Sequence, residues 1–414
     1  MNIAILHYSI PPVVGGVEAV IQAHAGVLLA AGYPVTLIAG AGELAALPKG
    51  TGFIKIEEMD SRHPQVTEIS RQLEAGENPA QFEALKIALA SKLQHTCEPF
   101  DTILVHNIFS KHFNLPLTAA LFDLLDQGLV KNCIAWCHDI SWTSDHARAK
   151  VFPGYPWDLL RTYREDITYV VVSNARQGEL AGLFHCPAEQ IRVIYNGVDP
   201  RELYSLSVEG QALVERLELG EADLILLMPV RITQAKNIEL ALQVVASLKG
   251  RGIRPKLVVT GPPDPHDRGD MEYYQSLLEA RRHFGVEQEA RFVYGSGPNP
   301  EIGYTIELPV VREMYRTCDA LFMPSHREGF GMPILEAGLM GMPVFTTPIP
   351  AAEEIGGQDV IRFSSTDSPG RVAELILSWV KSSSTQQLRK RIRQRYTWQA
   401  IFQHDILPLL NEKR

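Results

Sequence analysis

Long apolar runs, paired cysteines and an excess of basic charge are all missing from this chain, and each absence excludes a class of function. The opening stretch MNIAILHYSIPPVVGGVEAV has no basic segment ahead of its apolar residues, and Pro11-Pro12 breaks the run. It reads as neither a secretory signal nor a membrane span. The cysteines Cys97, Cys133, Cys137, Cys186 and Cys318 are odd in number and scattered. They build no disulfide framework and fit a reduced, cytoplasmic setting. Cys133 and Cys137 lie in the apolar run CIAWC with no further ligand at zinc spacing, so they read as buried strand thiols. Net charge is −9, with 14 basic against 21 acidic residues in positions 1–200. That balance gives no electrostatic case for nucleic acid, nor for docking the first half on an anionic membrane. No D-x-D phosphate–metal motif occurs.

What is present is the composition of a globular protein, 45% hydrophobic and 21% charged. A length of 414 residues exceeds one ordinary core and predicts two domains. In the first half NIAILHY, PVTLIAG, DTILVHN, CIAWCHD, TYVVVSN and IRVIYNG read as buried strands. Helical stretches alternate with them, the first opening at Gly16 and closing at Gly32. Residues 60–100 are polar and helical in pattern and read as an insertion without assigned chemistry. The second half repeats the alternation with LILLMPVR, KLVVTGP, ARFVYG, ALFMPS and MPVFTTP. Strand–helix alternation in both halves predicts two doubly wound parallel sheets, an α/β fold with a cleft between its domains. The turn-rich NGVDPRELY places the boundary near Pro200, giving domains 1–200 and 201–395. No internal repeat occurs. In such sheets ligands sit at the carboxyl ends of strands, beside helix N-termini.

Three places carry chemistry. In SHREGFGMPILEAGLMG, Glu328 and Glu336 flank a glycine-rich bend that leads into a helix predicted to start at Pro333 and end before Gly341. Gly329 and Gly331 leave backbone N–H groups approachable, and a helix N-terminus suits an anion. Two fixed carboxylates accept from paired hydroxyls, so the stretch fits a phosphate joined to polyols. The helix dipole alone would account for Glu336 but not for Glu328 and the glycines. A glycosidase carboxylate pair remains open. In VRITQAKN, Arg231 and Lys236 follow a strand end, where they grip phosphate or serve as ordinary loop charges. In the first half Gly15-Gly16 opens the first helix, as a phosphate approach or a plain tight turn. His138, after CIAWC, stands at another strand end and reads equally as structural or functional.

R-x4-K at Arg231–Lys236, E-x7-E at Glu328–Glu336, GGVE at the first turn and NGVD at Asn196–Asp199 occur together in this chain. The pattern closely resembles the retaining GT-B glycosyltransferases of the GT4 type, across nearly the whole length. The resemblance implies two Rossmann-like domains facing across a cleft, with a tryptophan-bearing C-terminal helix, about 396–414, joining the first. It implies that Glu328 and the backbone of Gly329, Phe330, Gly331 and Met332 hold the donor sugar, and that Glu336 holds the ribose. Arg231 and Lys236 would grip the diphosphate, approached by Gly15 and Gly16 from the first domain. His138 would contact the sugar near the reacting carbon, and Tyr294 in FVYG would mark the base. Gly261 precedes a donor-side loop, 262–274, longer here than is usual. His106, Asn107 and Asp139 are nominated for the acceptor.

The implied reaction moves a hexosyl unit from a nucleoside diphosphate sugar to an acceptor hydroxyl with retained configuration. No cofactor and no metal are expected, because Arg231 and Lys236 supply the charge facing the leaving group. The acceptor is a small molecule, a glycan or a lipid-linked sugar, and the protein a monomer or homodimer. A non-catalytic nucleotide-sugar binder, a glycosidase using Glu328 and Glu336, and a sugar-phosphate epimerase are the rivals.

Overall fold

A computed structural model of the chain describes residues 1–77, 79–264, 268–299 and 301–412. The chain divides into two compact units, Met1–Gly197 with Trp398–Arg414, and Val198–Thr397.

The first unit is built on seven strands: β1 (Ile3–Ser9), β2 (Val35–Ala41), β3 (Gly52–Lys55), β4 (Thr102–His106), β5 (Cys133–Cys137), β6 (Ile167–Val171) and β7 (Ile191–Val193). Their order in the sheet is β3-β2-β1-β4-β5-β6-β7, and every neighbouring pair is parallel. Parallel strands need long crossovers, and helices on both faces bury them, so β1, β4 and β5 are apolar runs without alternation. Strand order reverses between β1 and β4, which register Ile3 against Thr102 and Leu6 against Val105.

Residues 60–100 are not an appended insertion. They form α2 (Pro64–Glu74) and α3 (Ala80–Cys97) after α1 (Gly16–Ala30), and α3 packs along α4 (Leu115–Asp126). Val66, Ile69 and Leu73 of α2 and Phe82, Leu89 and Leu93 of α3 share one core with Leu6 and Val105 of the sheet. The polar residues that suggested an insertion are the solvent faces of amphipathic helices.

The second unit holds β8 (Leu224–Met228), β9 (Pro255–Val259), β10 (Ala290–Phe292), β11 (Ala320–Met323), β12 (Val344–Thr346) and β13 (Ile361–Arg362). The order is β10-β9-β8-β11-β12-β13, again parallel throughout, with the reversal between β8 and β11. The strands β3 and β13 were not expected. Each is short, lies at a sheet edge and carries little buried apolar surface, so its pairing with β2 or β12 leaves no hydrophobic run to read.

The C-terminal stretch forms Trp398–Ile401, a π-helical turn Phe402–Ile406 and Leu407–Asn411. Ile401, Phe402, Ile406 and Leu409 enter the core formed by Ile3, Ile5, Ile21 and Leu37, where burying each such side chain is worth about 1.5–3 kcal/mol. A Cβ on Gly197 would lie 2.8 Å from the Trp398 nitrogen, so the chain can leave and re-enter this unit side by side only because residue 197 is glycine. No helix among the described residues is long and apolar enough to cross a membrane.

Candidate functional site

In the second unit the strands β8 and β11 are neighbours in the sheet at the point where strand order reverses. The loops after them lie at the carboxyl ends of the strands beside this reversal, the usual ligand position in such sheets. The β8 loop carries Arg231 and Lys236, and the β11 loop carries Glu328. Two hydrogen bonds stitch them: the His326 N–H donates to the Ala235 carbonyl at 2.9 Å, and Asn237 Nδ2 donates to the Pro324 carbonyl at 3.1 Å. Asn237 adopts the left-handed conformation, φ +49°, which asparagine tolerates better than most residues.

This stitching brings Lys236 Nζ to 2.6 Å from Glu328 Oε2, while the Ser325 hydroxyl donates to Glu328 Oε1 at 2.7 Å. The pair is largely shielded, its side chains 18% and 8% exposed. Arg231 is more open and pairs with Asp264 at 2.9 Å. Asp264 comes from the 262–274 segment, whose residues 265–267 lie outside the described ones and whose remainder starts the helix Arg268–His283. Gly261, two residues past β9, lies against the Val230 carbonyl, where a Cβ would stand at 2.3 Å, so no side chain fits there.

The glycine-rich bend is built as its composition requires. Gly331 sits at φ +86° as N-cap of the helix Met332–Leu339, and a Cβ there would come within 2.9 Å of Ala351 Cβ. Gly329 has open space around its missing side chain, and Phe330 and Met332 are exposed beside it. Glu336 lies one turn into that helix, past its first-turn N–H groups, and accepts the Tyr315 hydroxyl at 2.5 Å. Burial, and then the Glu336 carboxylate, push the Tyr315 hydroxyl well above its ordinary pKa, so it stays a donor. Tyr294 lies in the short turn after β10, its ring edge-on to Tyr274 at 5.4 Å, with Gly303 beneath it where a Cβ would collide. Ser325, Asn237 and Tyr315 were not singled out from sequence. Short polar residues around a loop carry no periodic signal, and only the fold shows which loops meet.

In the first unit the corresponding reversal lies between β1 and β4. A cavity of about 210 Å³ there is lined by His7, Ser9, Gly16, Asn107, Lys111 and Asp139, among others. Helix α1 starts at Gly16 beside it. Glu18 occupies this helix end, accepting the Ser9 hydroxyl at 2.7 Å and standing 3.9 Å from His7 Nε2. A Cβ on Gly15 would overlap the Glu18 carboxylate, whereas Gly16 faces open space.

His138 follows β5 and is almost fully buried. Its Nε2 shares a hydrogen bond with His106 Nδ1 at 3.0 Å, the rings stacked at 5.3 Å between centroids. Burial, and then the neighbouring His7, lower its pKa to about 3, so it acts as a neutral imidazole. Burial also holds His106 well below the ordinary value. His106 has no exposed surface, and its carbonyl is hydrogen-bonded to Nδ1 of His7, a residue that lines the cavity, at 2.9 Å. Asn107, at φ +59°, accepts the backbone N–H groups of His138 and Asp139 on Oδ1 at 2.8 and 3.3 Å. It fixes the turn that presents both residues. Asp139 is exposed, 3.9 Å from Arg176.

Comparison with known proteins assigns each unit separately. Residues 14–202 match the family described as Glycosyltransferase Family 4, and residues 211–397 match Glycosyl transferases group 1. An uncharacterized glycosyltransferase of Methanocaldococcus jannaschii is 26% identical over 59% of this chain, and a D-inositol 3-phosphate glycosyltransferase of Saccharomonospora viridis is 26% identical over 55%. The matched stretch spans 60% and 52% of those two relatives' own lengths. A glycogen synthase of Mycobacterium tuberculosis is 24% identical over 97% of this chain and 92% of its own. With both parallel-sheet units matched, the chain belongs to the GT4-type glycosyltransferases of the GT-B class.

Proposed function

We propose that this protein is a retaining hexosyltransferase that takes its sugar from a nucleoside diphosphate donor and passes it to an acceptor hydroxyl. The observation that carries the reading is the Lys236–Glu328–Ser325 cluster, set at the β8/β11 reversal beside the left-handed Gly331 and the helix it starts. A fixed ammonium, an Arg231 guanidinium held by Asp264 and approachable N–H groups suit a diphosphate. Glu328 and Glu336 suit sugar and ribose hydroxyls. The family match and the resemblance of motif order support the same assignment.

Bond cleavage at the anomeric carbon leaves a cation-like sugar and puts negative charge on the departing diphosphate. Cations and N–H donors already oriented toward that charge lower the barrier, and removing one such donor costs about 3–4 kcal/mol. His138, neutral and fixed by His106 and Asn107, offers a hydrogen bond rather than charge. Attack on the face the diphosphate leaves keeps the configuration, and the departing phosphate oxygen takes the acceptor proton. In this reading the two cations do the work of a metal ion, and the acceptor side is formed by Asn107 and Asp139, with the setting cytoplasmic.

The test is a panel of UDP-, GDP- and ADP-hexoses, each scored for melting-temperature shift and for transfer to sugar, polyol and lipid-linked acceptors. A bound donor at 100 times its Kd should stabilise the fold by about 2.7 kcal/mol. The anomeric configuration of the first product is read by its proton coupling. An inverted product ends the retaining reading. Donor binding without transfer to any acceptor supports the non-catalytic binder instead. A trapped glycosyl ester on Glu328 or Glu336 supports the glycosidase-like reading.

A further inference from the structure

A second cavity, about 390 Å³, lies in the second unit along the outer edge of β10, and three arginines converge on it. Arg216 comes from the last turn of the helix Val208–Arg216, Arg281 from the last turn of the helix Arg268–His283, and Arg291 from β10 itself. Helix dipoles favour a basic residue at each helix end. They do not explain why two such ends meet a third arginine from a strand.

The three guanidiniums touch only neutral acceptors. Arg216 Nε donates to the Ala212 carbonyl, Arg281 Nη1 to the Ala290 carbonyl, and Arg291 to the Arg216 carbonyl and Gln288 Oε1. Among the described residues, none of the three makes an ion pair. The nearby cations Lys249 and Lys256, by contrast, pair with Glu289 and Glu218. The Nε atoms of Arg281 and Arg291 are buried without a hydrogen-bond partner. Arg216 lies over the Tyr304 ring at 4.8 Å and Arg281 near the Phe292 ring at 5.8 Å, so both planes are held by aromatic faces. Burial, and then Arg291, hold the Arg281 pKa below the ordinary arginine value, against the pull of Tyr274 and Glu287. Three guanidiniums beside a single lining carboxylate, Glu287, leave the cavity net positive, and an anion relieves that excess.

We infer that this cavity is a binding site for a phosphorylated sugar or polyol, separate from the donor site. Guanidinium forks match phosphate oxygens in pairs. The volume exceeds what a phosphate alone needs and falls at the lower end of small-molecule sites. Glu287 and Gln288 line the same cavity and offer acceptors for hydroxyls, which a bare phosphate lacks.

The experiment is equilibrium binding of hexose 6-phosphate, the unphosphorylated hexose and inorganic phosphate to the full chain. Hexose 6-phosphate should bind at least tenfold more tightly than either other probe. Arg281→Gln and Arg291→Gln should each weaken it about tenfold or more, whereas Arg282→Gln, on the exposed neighbour, should not. Binding should survive in the Arg231→Ala/Lys236→Ala double variant, which separates this site from the donor site. Mass mapping of phenylglyoxal adducts on the unaltered protein gives a readout independent of variant folding. Hexose 6-phosphate should protect Arg281 and Arg291 and leave Arg282 reactive. Absence of protection, equal affinity for inorganic phosphate, or loss of binding in the Arg231→Ala/Lys236→Ala variant overturns the inference.

Discussion

Replacing Lys236 with methionine keeps the unbranched apolar stem of the side chain and removes its charged end. Glu328 then loses the partner on Oε2 and keeps only the Ser325 hydroxyl on Oε1. Its side chain is 8% exposed, so water cannot replace the ammonium fully. Breaking a fully buried pair from one side costs about 3–5 kcal/mol, and an exposed pair is worth about 0–1 kcal/mol. This pair lies nearer the buried limit, so Lys236→Met should destabilise the second unit by about 2–4 kcal/mol. For a unit of this size that lowers the melting temperature by about 4–16 °C. Glu328→Gln leaves the more exposed Lys236 able to reach water and should cost only about 1–2 kcal/mol. In the double variant neither buried charge is stranded, so the cycle should show a coupling of about 1–3 kcal/mol. Denaturant unfolding of the four proteins measures this. Binding separates role from stability. The freed Lys236 in Glu328→Gln should hold nucleoside diphosphate as tightly as before or more so, while transfer slows severely. A Lys236→Met variant within about 0.5 kcal/mol of the unaltered protein, with purely additive effects, would refute the coupled pair.

Other expectations follow from single contacts. His24 and His138 have pKa values lowered to about 3, chiefly by burial, so below pH 6.5 the unfolded chain takes up protons that the folded one refuses. Each such histidine removes about 1.4 kcal/mol of stability per pH unit as pH falls from 6.5 toward 3. His24→Leu should therefore move the acid-unfolding midpoint to lower pH in a circular-dichroism titration; an unchanged midpoint counts against the buried neutral ring. Gly331→Ala forces a side chain to φ +86° and against Ala351, and should cost about 1–2 kcal/mol from backbone strain alone, with weaker donor binding by calorimetry. Tyr315→Phe releases one oxygen of Glu336 and should raise KM for the donor more than it lowers kcat, since a ribose contact is made equally in ground and transition states. Transfer should persist in EDTA; complete loss restored by Mg²⁺ or Mn²⁺ would contradict the charge roles of Arg231 and Lys236.

The sequence by itself determined the fold class and singled out the loops proposed to hold the donor. Buried parallel strands must be apolar on both faces, so β1, β4, β5, β8 and β11 stand out as unbroken runs, and the turn residues after them mark where a ligand can lie. Gly331, Glu328 and Lys236 could be singled out because they stand at strand ends beside a predicted helix start, where a glycine, a carboxylate and an ammonium suit a phosphate joined to polyols. What the tertiary structure alone decided is which of these groups meet. Lys236 and Glu328 are 92 residues apart in the chain and 2.6 Å apart in space because β8 and β11 pair where strand order reverses. Asn237 and Ser325 matter only once those two loops are stitched together. His106 illustrates the converse. As a residue at a strand end it reads as available, yet the packing of His24, Trp136 and His138 around it leaves no surface. The edge strands β3 and β13 and the layer formed by α2 and α3 were misread or missed for one reason. Their identity comes from backbone pairing or from one apolar face against neighbours distant in the chain, and local composition records neither.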